Sequence, residues 1–114
     1  MYKRQLHASL RDDGVAVLQF ARRLNMVAAP AVREAIAALV QNGHSRIVAD
    51  LSTVAFLDSS GLASLIAGVR MARAAGGDLR IAAPSAQAKI VLQLTNIDQI
   101  LGLHADVGTA FPDA

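Results

Sequence analysis

Between Pro30 and Ala82 the hydrophobic period of the chain switches three times, from helix to strand to helix to strand, and this alternation restricts the fold more than any other feature. Val32, Ala35, Ile36, Leu39 and Val40 fall at i, i+3, i+4, i+7 and i+8, the stripe of an amphipathic helix, and Pro30 suits its first turn. Asn42-Gly43 stops that helix, and Arg46 to Leu51 follows as a short strand apolar enough to lie centrally in a sheet. Asp58-Ser59-Ser60-Gly61 then opens a second helix whose buried stripe is Leu62, Leu65, Ile66, Val69 and Ala72. Gly76-Gly77 ends it ahead of a strand at Leu79–Ala82.

The two ends complete the pattern. Leu6, Ala8 and Leu10 alternate with polar neighbours, Asp12-Asp13-Gly14 supplies a turn, and Val15 to Phe20 alternates again, which predicts a hairpin. Pro84-Ser85 starts a third helix with Ile90, Val91 and Leu94 facing in, and Ile100 to Ala105 reads as a last edge strand. The order ββαβαβα(β) predicts an α/β fold, a four- to five-stranded mixed sheet with helices packed mainly on one side. At 114 residues one domain is expected over residues 1–114, with a core at about 1–105 and a C-terminal tail or short helix at 106–114. A hydrophobic fraction of 54% excludes disorder for the body of the chain, while 23 alanines against 4% aromatics imply tightly spaced helices.

Charge and residue usage exclude several classes of function. Eleven Lys and Arg against nine Asp and Glu give a net +2, with the bases scattered and no interleaved aromatics, so no nucleic-acid partner is expected. Cysteine is absent, which removes disulfides, thiolate zinc sites and thiol nucleophiles and fits a reducing compartment. No run approaches the ~18 apolar residues of a membrane span, and no apolar segment follows Lys3, Arg4 and His7. A cytoplasmic location without membrane association is the simplest expectation.

The stretch Val54-Ala55-Phe56-Leu57-Asp58-Ser59-Ser60-Gly61-Leu62 carries the most chemistry, because three hydrogen-bonding side chains and a glycine meet at a strand-to-helix junction. Asp and Ser are preferred N-caps, each worth about 1 kcal/mol, so plain helix capping is one reading. One helix needs one cap, however, and three candidates stand in a row. Gly61 in the first turn costs about 1 kcal/mol relative to alanine. The functional alternative is that Gly61 gives clearance for another molecule to reach the serines. A phosphate on Ser59 would lie at the positive end of the helix.

With this run the chain resembles the STAS domains of bacterial anti-sigma factor antagonists, over nearly its whole length. The likeness rests on Asp58-Ser59-Ser60-Gly61-Leu62, on the strand Ile47-Val48-Ala49-Asp50-Leu51, on Gly76-Gly77 before a strand, and on Ala29-Pro30-Ala31-Val32-Arg33-Glu34 opening the first helix. The resemblance implies a STAS fold and a non-enzymatic, phosphorylation-switched binding domain without cofactors. It implies that Ser59 is the phosphoacceptor, that an anti-sigma factor which is also a serine kinase is the partner, and that a PP2C-type phosphatase removes the phosphate. ATP and metal would belong to those partners.

Asp58 would position the loop, Ser60 would cap the helix, and Asn25 and Met26 would complete the partner-binding surface with Gly61. The chain departs from the family at Ala21-Arg22-Arg23-Leu24-Asn25 and at Ala28, where members usually carry Gly-Glu-Leu/Ile-Asp and then Ser or Thr. An acidic residue near the acceptor is thereby replaced by Asn25 and a glutamate by arginine. Two docking modes follow: the partner kinase docks in the family's usual manner, or a divergent partner with complementary acidic groups meets Arg22 and Arg23.

Rival readings find less support in the residues. A hydrolase would need the serines activated by a base, yet no Gly-x-Ser-x-Gly elbow is present, and His7, His44 and His104 are isolated from one another. No two histidines have metal-ligand spacing, and Gly76-Gly77 follows a helix instead of preceding one as a phosphate loop would. The remaining alternative keeps the fold: an accessory subunit of a transporter or lipid-transport complex that docks an ATPase or a small ligand.

Overall fold

The computed structural model describes residues 6–112. Its elements in chain order are β1 (Leu6–Leu10), β2 (Ala16–Phe20), β3 (Arg23–Leu24), α1 (Ala29–Gln41), β4 (Arg46–Asp50), β5 (Phe56–Leu57), α2 (Ser59–Ala74), β6 (Asp78–Ala82), α3 (Ala86–Leu94) and β7 (Leu103–His104). Short 3-10 turns occupy Ile97–Gln99 and Val107–Thr109. The main sheet has five strands in the order β1-β2-β4-β6-β7, with β1 antiparallel to β2 and the other neighbours parallel.

Each parallel step moves one strand further in the same direction. Because such crossovers are right-handed, successive helices land on one face of the sheet. Alternate strand residues therefore divide between two environments. Leu18, Phe20, Ile47, Ala49, Leu79 and Ile81 face Val32 and Ile36 of α1, Leu65 and Val69 of α2, and Leu92 of α3. Gly76, at φ +89°, takes the left-handed turn that ends α2 and feeds β6.

Val15, Val17, Val48 and Ala82 point to the other face, where Ala110 and Phe111 cover them. The segment after residue 106 is thus a short helical turn with a buried end at Phe111. Arg80 holds it: Nη1 donates to the Ala110 carbonyl at 2.8 Å, and the guanidinium lies 4.1 Å from the centre of the Phe111 ring. Arg11 Nη1 adds a bond to the Val107 carbonyl at 3.3 Å.

Two expectations require correction. Ile90 and Leu94 of α3 do not face in: they are 55% and 79% exposed, and the buried positions are Ala88 and Leu92. Ser85 sets this phase, since its Oγ accepts from Ala88 N and donates to the Val54 carbonyl, which brings small Ala88 against the sheet. The last strand is also shorter than Ile100–Ala105. The chain turns left-handed at Asn96 (φ +59°), buries Ile97 and Leu101, and reaches the sheet only at Leu103.

Phe111→Ala is expected to lower unfolding free energy by about 3–5 kcal/mol, because it uncovers the second sheet face. Leu94→Ala should change it by less than about 0.5 kcal/mol. Urea denaturation followed by circular dichroism reads both.

Candidate functional site

β3 and β5 form a separate two-stranded parallel ribbon, Arg23 opposite Phe56 and Leu24 opposite Leu57. Leu24 and Leu57 are buried, and Arg23 and Phe56 are turned outward. The Arg22 carbonyl accepts from Ala55 N at 2.8 Å and from Phe56 N at 3.0 Å, while Asp58 N donates to the Leu24 carbonyl. This ribbon joins the loop ahead of α1 to the loop ahead of α2, at the end of the sheet where the parallel strands finish.

Asp58 fastens the corner. One carboxylate oxygen accepts from Gly61 N at 2.8 Å and caps α2; the other accepts from Met26 N at 3.2 Å. Asp58 therefore both starts its own helix and holds the 25–28 loop beside it. Asn25 secures the far end of that loop, its Oδ1 accepting from Val27 N and Ala28 N at 3.1 and 3.2 Å in an Asx turn. Ala28, at the N-cap of α1, contributes no side-chain bond, so this turn organises the entry to α1.

The expected roles of Ser60 and Gly61 change accordingly. The cap is Asp58 and not Ser60: Ser60 is half-buried, and the bonds at the start of α2 run through the Asp58 carboxylate. Gly61 is buried and gives no clearance to a visiting molecule. A Cβ there would overlap the Leu24 carbonyl oxygen, so glycine is required for α2 to approach β3. Ser64 sits one turn on, fully buried, with its hydroxyl donating to the Gly61 carbonyl at 2.6 Å.

Ser59, the first residue of α2, is exposed. It lines a groove of about 370 Å³ with Met26, Pro30, Arg33, Ser60 and Ala63, between the starts of α1 and α2. A second groove, about 740 Å³, lies along the ribbon, lined by Arg22, Arg23, Asn25, Val27 and Phe56 among others. Asp58, Ser59, Ser60, Asn25 and Met26 are thus brought to one end of the molecule. Among the described residues no cluster of His, Asp and Glu could hold a metal ion, and no helix is long and apolar enough to cross a membrane.

Arg22 and Arg23, singled out in the sequence as a departure from the family pattern, belong to the same end, and Arg33, Val27 and Phe56 join them there. The two-residue strands that place Arg23 and Phe56 have no hydrophobic period to read.

The STAS domain family profile matches residues 9–110. The chain belongs to the STAS domain family. Solved structures agree with that assignment. An anti-sigma factor antagonist from Mycobacterium paratuberculosis is 30% identical, with a TM-score of 0.79, over 94% of this chain and 92% of that one. A candidate anti-sigma factor antagonist from Thermotoga maritima is 23% identical, with a TM-score of 0.86, over 95% and 92%. A Bacillus cell fate determinant in its phosphorylated form is 19% identical, with a TM-score of 0.73, over 94% and 96%. Among curated proteins no sequence matches significantly.

In this STAS domain, Gly61→Ala should cost about 1–3 kcal/mol through overpacking against a carbonyl that cannot retreat. Asp58→Ala should cost about 1–2 kcal/mol through loss of the cap, and Ser60→Ala less than about 0.5 kcal/mol. Chemical denaturation of the three variants gives the ranking.

Proposed function

We propose that this STAS domain is a cytoplasmic, non-enzymatic anti-sigma factor antagonist that binds its partner through the end bearing Asp58, Ser59, Ser60, Asn25 and Met26, and is switched by phosphorylation of Ser59. The carrying observation is the division of labour between neighbours. Asp58 makes the bonds that hold the corner, while Ser59 is exposed at the first position of a 16-residue helix. A hydroxyl so placed is accessible to a kinase, and esterifying it leaves the cap intact.

The helix start favours a phosphate there, since its partial positive charge and free N–H groups attract anions. The partner is an anti-sigma factor that is also a serine kinase, and a PP2C-type phosphatase reverses the reaction; ATP and metal are supplied by those enzymes. In the transfer, Ser59 Oγ attacks the γ-phosphorus of ATP, the hydroxyl proton leaves to a base of the kinase, and ADP departs. That a Bacillus protein of this fold exists in a phosphorylated form supports the reading.

Phosphorylation acts at the contact itself. A group of about −1.5 to −2 charges placed in a surface that must lose its water leaves a charge unpaired on binding, which costs about 2–5 kcal/mol. Affinity then falls by roughly one and a half to three and a half decades. No refolding of the domain is needed.

Incubated with ATP and the anti-sigma kinase encoded nearest its own gene, the protein should gain one phosphate by mass spectrometry, and Ser59→Ala should gain none. Phosphate on another residue, or none at all, overturns the reading. Ser59→Asp should lose partner binding while keeping the wild-type circular dichroism spectrum and melting temperature. If that variant unfolds, Ser59 is a structural residue.

A further inference from the structure

The two grooves flanking Ser59 share a sign of charge. Their ionisable lining residues are Arg22, Arg23 and Arg33, and no carboxylate side chain lines either one. Two acids adjoin lining residues in sequence: Asp58, whose carboxylate oxygens are bonded to the backbone N–H groups of Gly61 and Met26, and Glu34, which is exposed beside Arg33 but lines neither groove. The ion pairs among the described residues join Arg11 to Asp13, and Arg73 and Arg80 to Asp78; none engages the three groove arginines. All three are exposed.

Apolar side chains lie between these charges. Met26 is 69%, Val27 79% and Phe56 45% exposed. The Arg23 guanidinium lies 6.0 Å from the Phe56 ring centre, at the limit of a cation–π contact, which keeps the charge beside the apolar surface. Such a mixture differs from a nucleic-acid footprint, which repeats cations along a groove and stacks bases on several rings. It matches the core and rim of a protein contact, with apolar and aromatic groups enriched at the centre alongside arginine.

We infer that this end of the molecule docks an acidic protein segment carrying an apolar anchor, with carboxylates reaching Arg22, Arg23 and Arg33 and the anchor seated against Val27, Met26 and Phe56. The inference rests on the proposed switch for the identity of the surface and adds the chemistry of what it receives. It also gives the phosphate an electrostatic target. Adding about two negative charges to three arginines leaves roughly one net positive charge to attract an acidic partner.

The test uses the intact, unmodified protein and no kinase. Two labelled helical peptides of about four turns serve as probes, one of glutamate and leucine, the other with lysine in place of every glutamate. At about 50 mM salt the acidic peptide should bind at least about tenfold more tightly, and the preference should shrink at about 300 mM. Amide shifts in NMR spectra should concentrate at residues 21–27, 33 and 55–60.

Arg22→Glu with Arg23→Glu should invert the preference; should that variant misfold, Arg22→Gln with Arg23→Gln should abolish it. Equal binding of the two peptides, no binding of either, or shifts centred elsewhere overturns the inference, as does tighter binding of single-stranded oligothymidylate than of the acidic peptide. Loss of peptide preference with phosphate still transferred to Ser59 sinks the acidic partner alone. The converse result sinks the switch alone.

Discussion

The end of this STAS domain that bears Ser59 depends on one carboxylate. Asp58 accepts from Gly61 N and Met26 N, and so joins the start of α2 to the loop that enters α1. Without that bridge the loop at residues 25–28 would be tied to the start of α2 only through the β3–β5 ribbon and the packing of α1 on α2. With it, Ser59, Met26 and Arg33 are fixed around one groove. The bond to Gly61 is local and the bond to Met26 spans 32 positions, so one side chain sets the geometry of a surface drawn from distant parts of the chain.

A close backbone approach completes the arrangement. α2 rests against the Leu24 carbonyl at Gly61, and the β3–β5 ribbon brings Arg23 and Phe56 outward while burying Leu24 and Leu57. Neither strand of the ribbon could persist alone at two residues. Its bonds to Arg22 and its buried leucines supply what length does not. The surface that carries the arginines is therefore a product of tertiary packing.

This explains what was legible in the sequence. β2, α1, β4, α2 and β6 were readable because each buries a continuous stripe at its own period. The start of α2 was readable at Asp58-Ser59-Ser60 because capping chemistry is local. Assigning the cap to Asp58 in place of Ser60 needed coordinates, since either residue type can perform it. The role of Gly61 was hidden for another reason: a missing side chain looks the same whether it admits a partner or a neighbouring carbonyl. In α3, apolar residues at Ile90, Val91, Leu92 and Leu94 leave the helical phase ambiguous, and the Ser85 cap resolves it. Phe111 gave no signal because one aromatic near a chain end has no pattern to belong to.

The exposed hydroxyl at position 59 contributes little to the scaffold, whose bonds at that corner run through its neighbour. Selection can thus act on the two separately. A lineage in which the proposed regulation has lapsed can drift at codon 59 with little effect on the fold, whereas drift at codons 58 or 61 costs about 1–3 kcal/mol of stability. Paralogues that keep the aspartate and glycine but vary the serine would be the expected fossils of abandoned circuits.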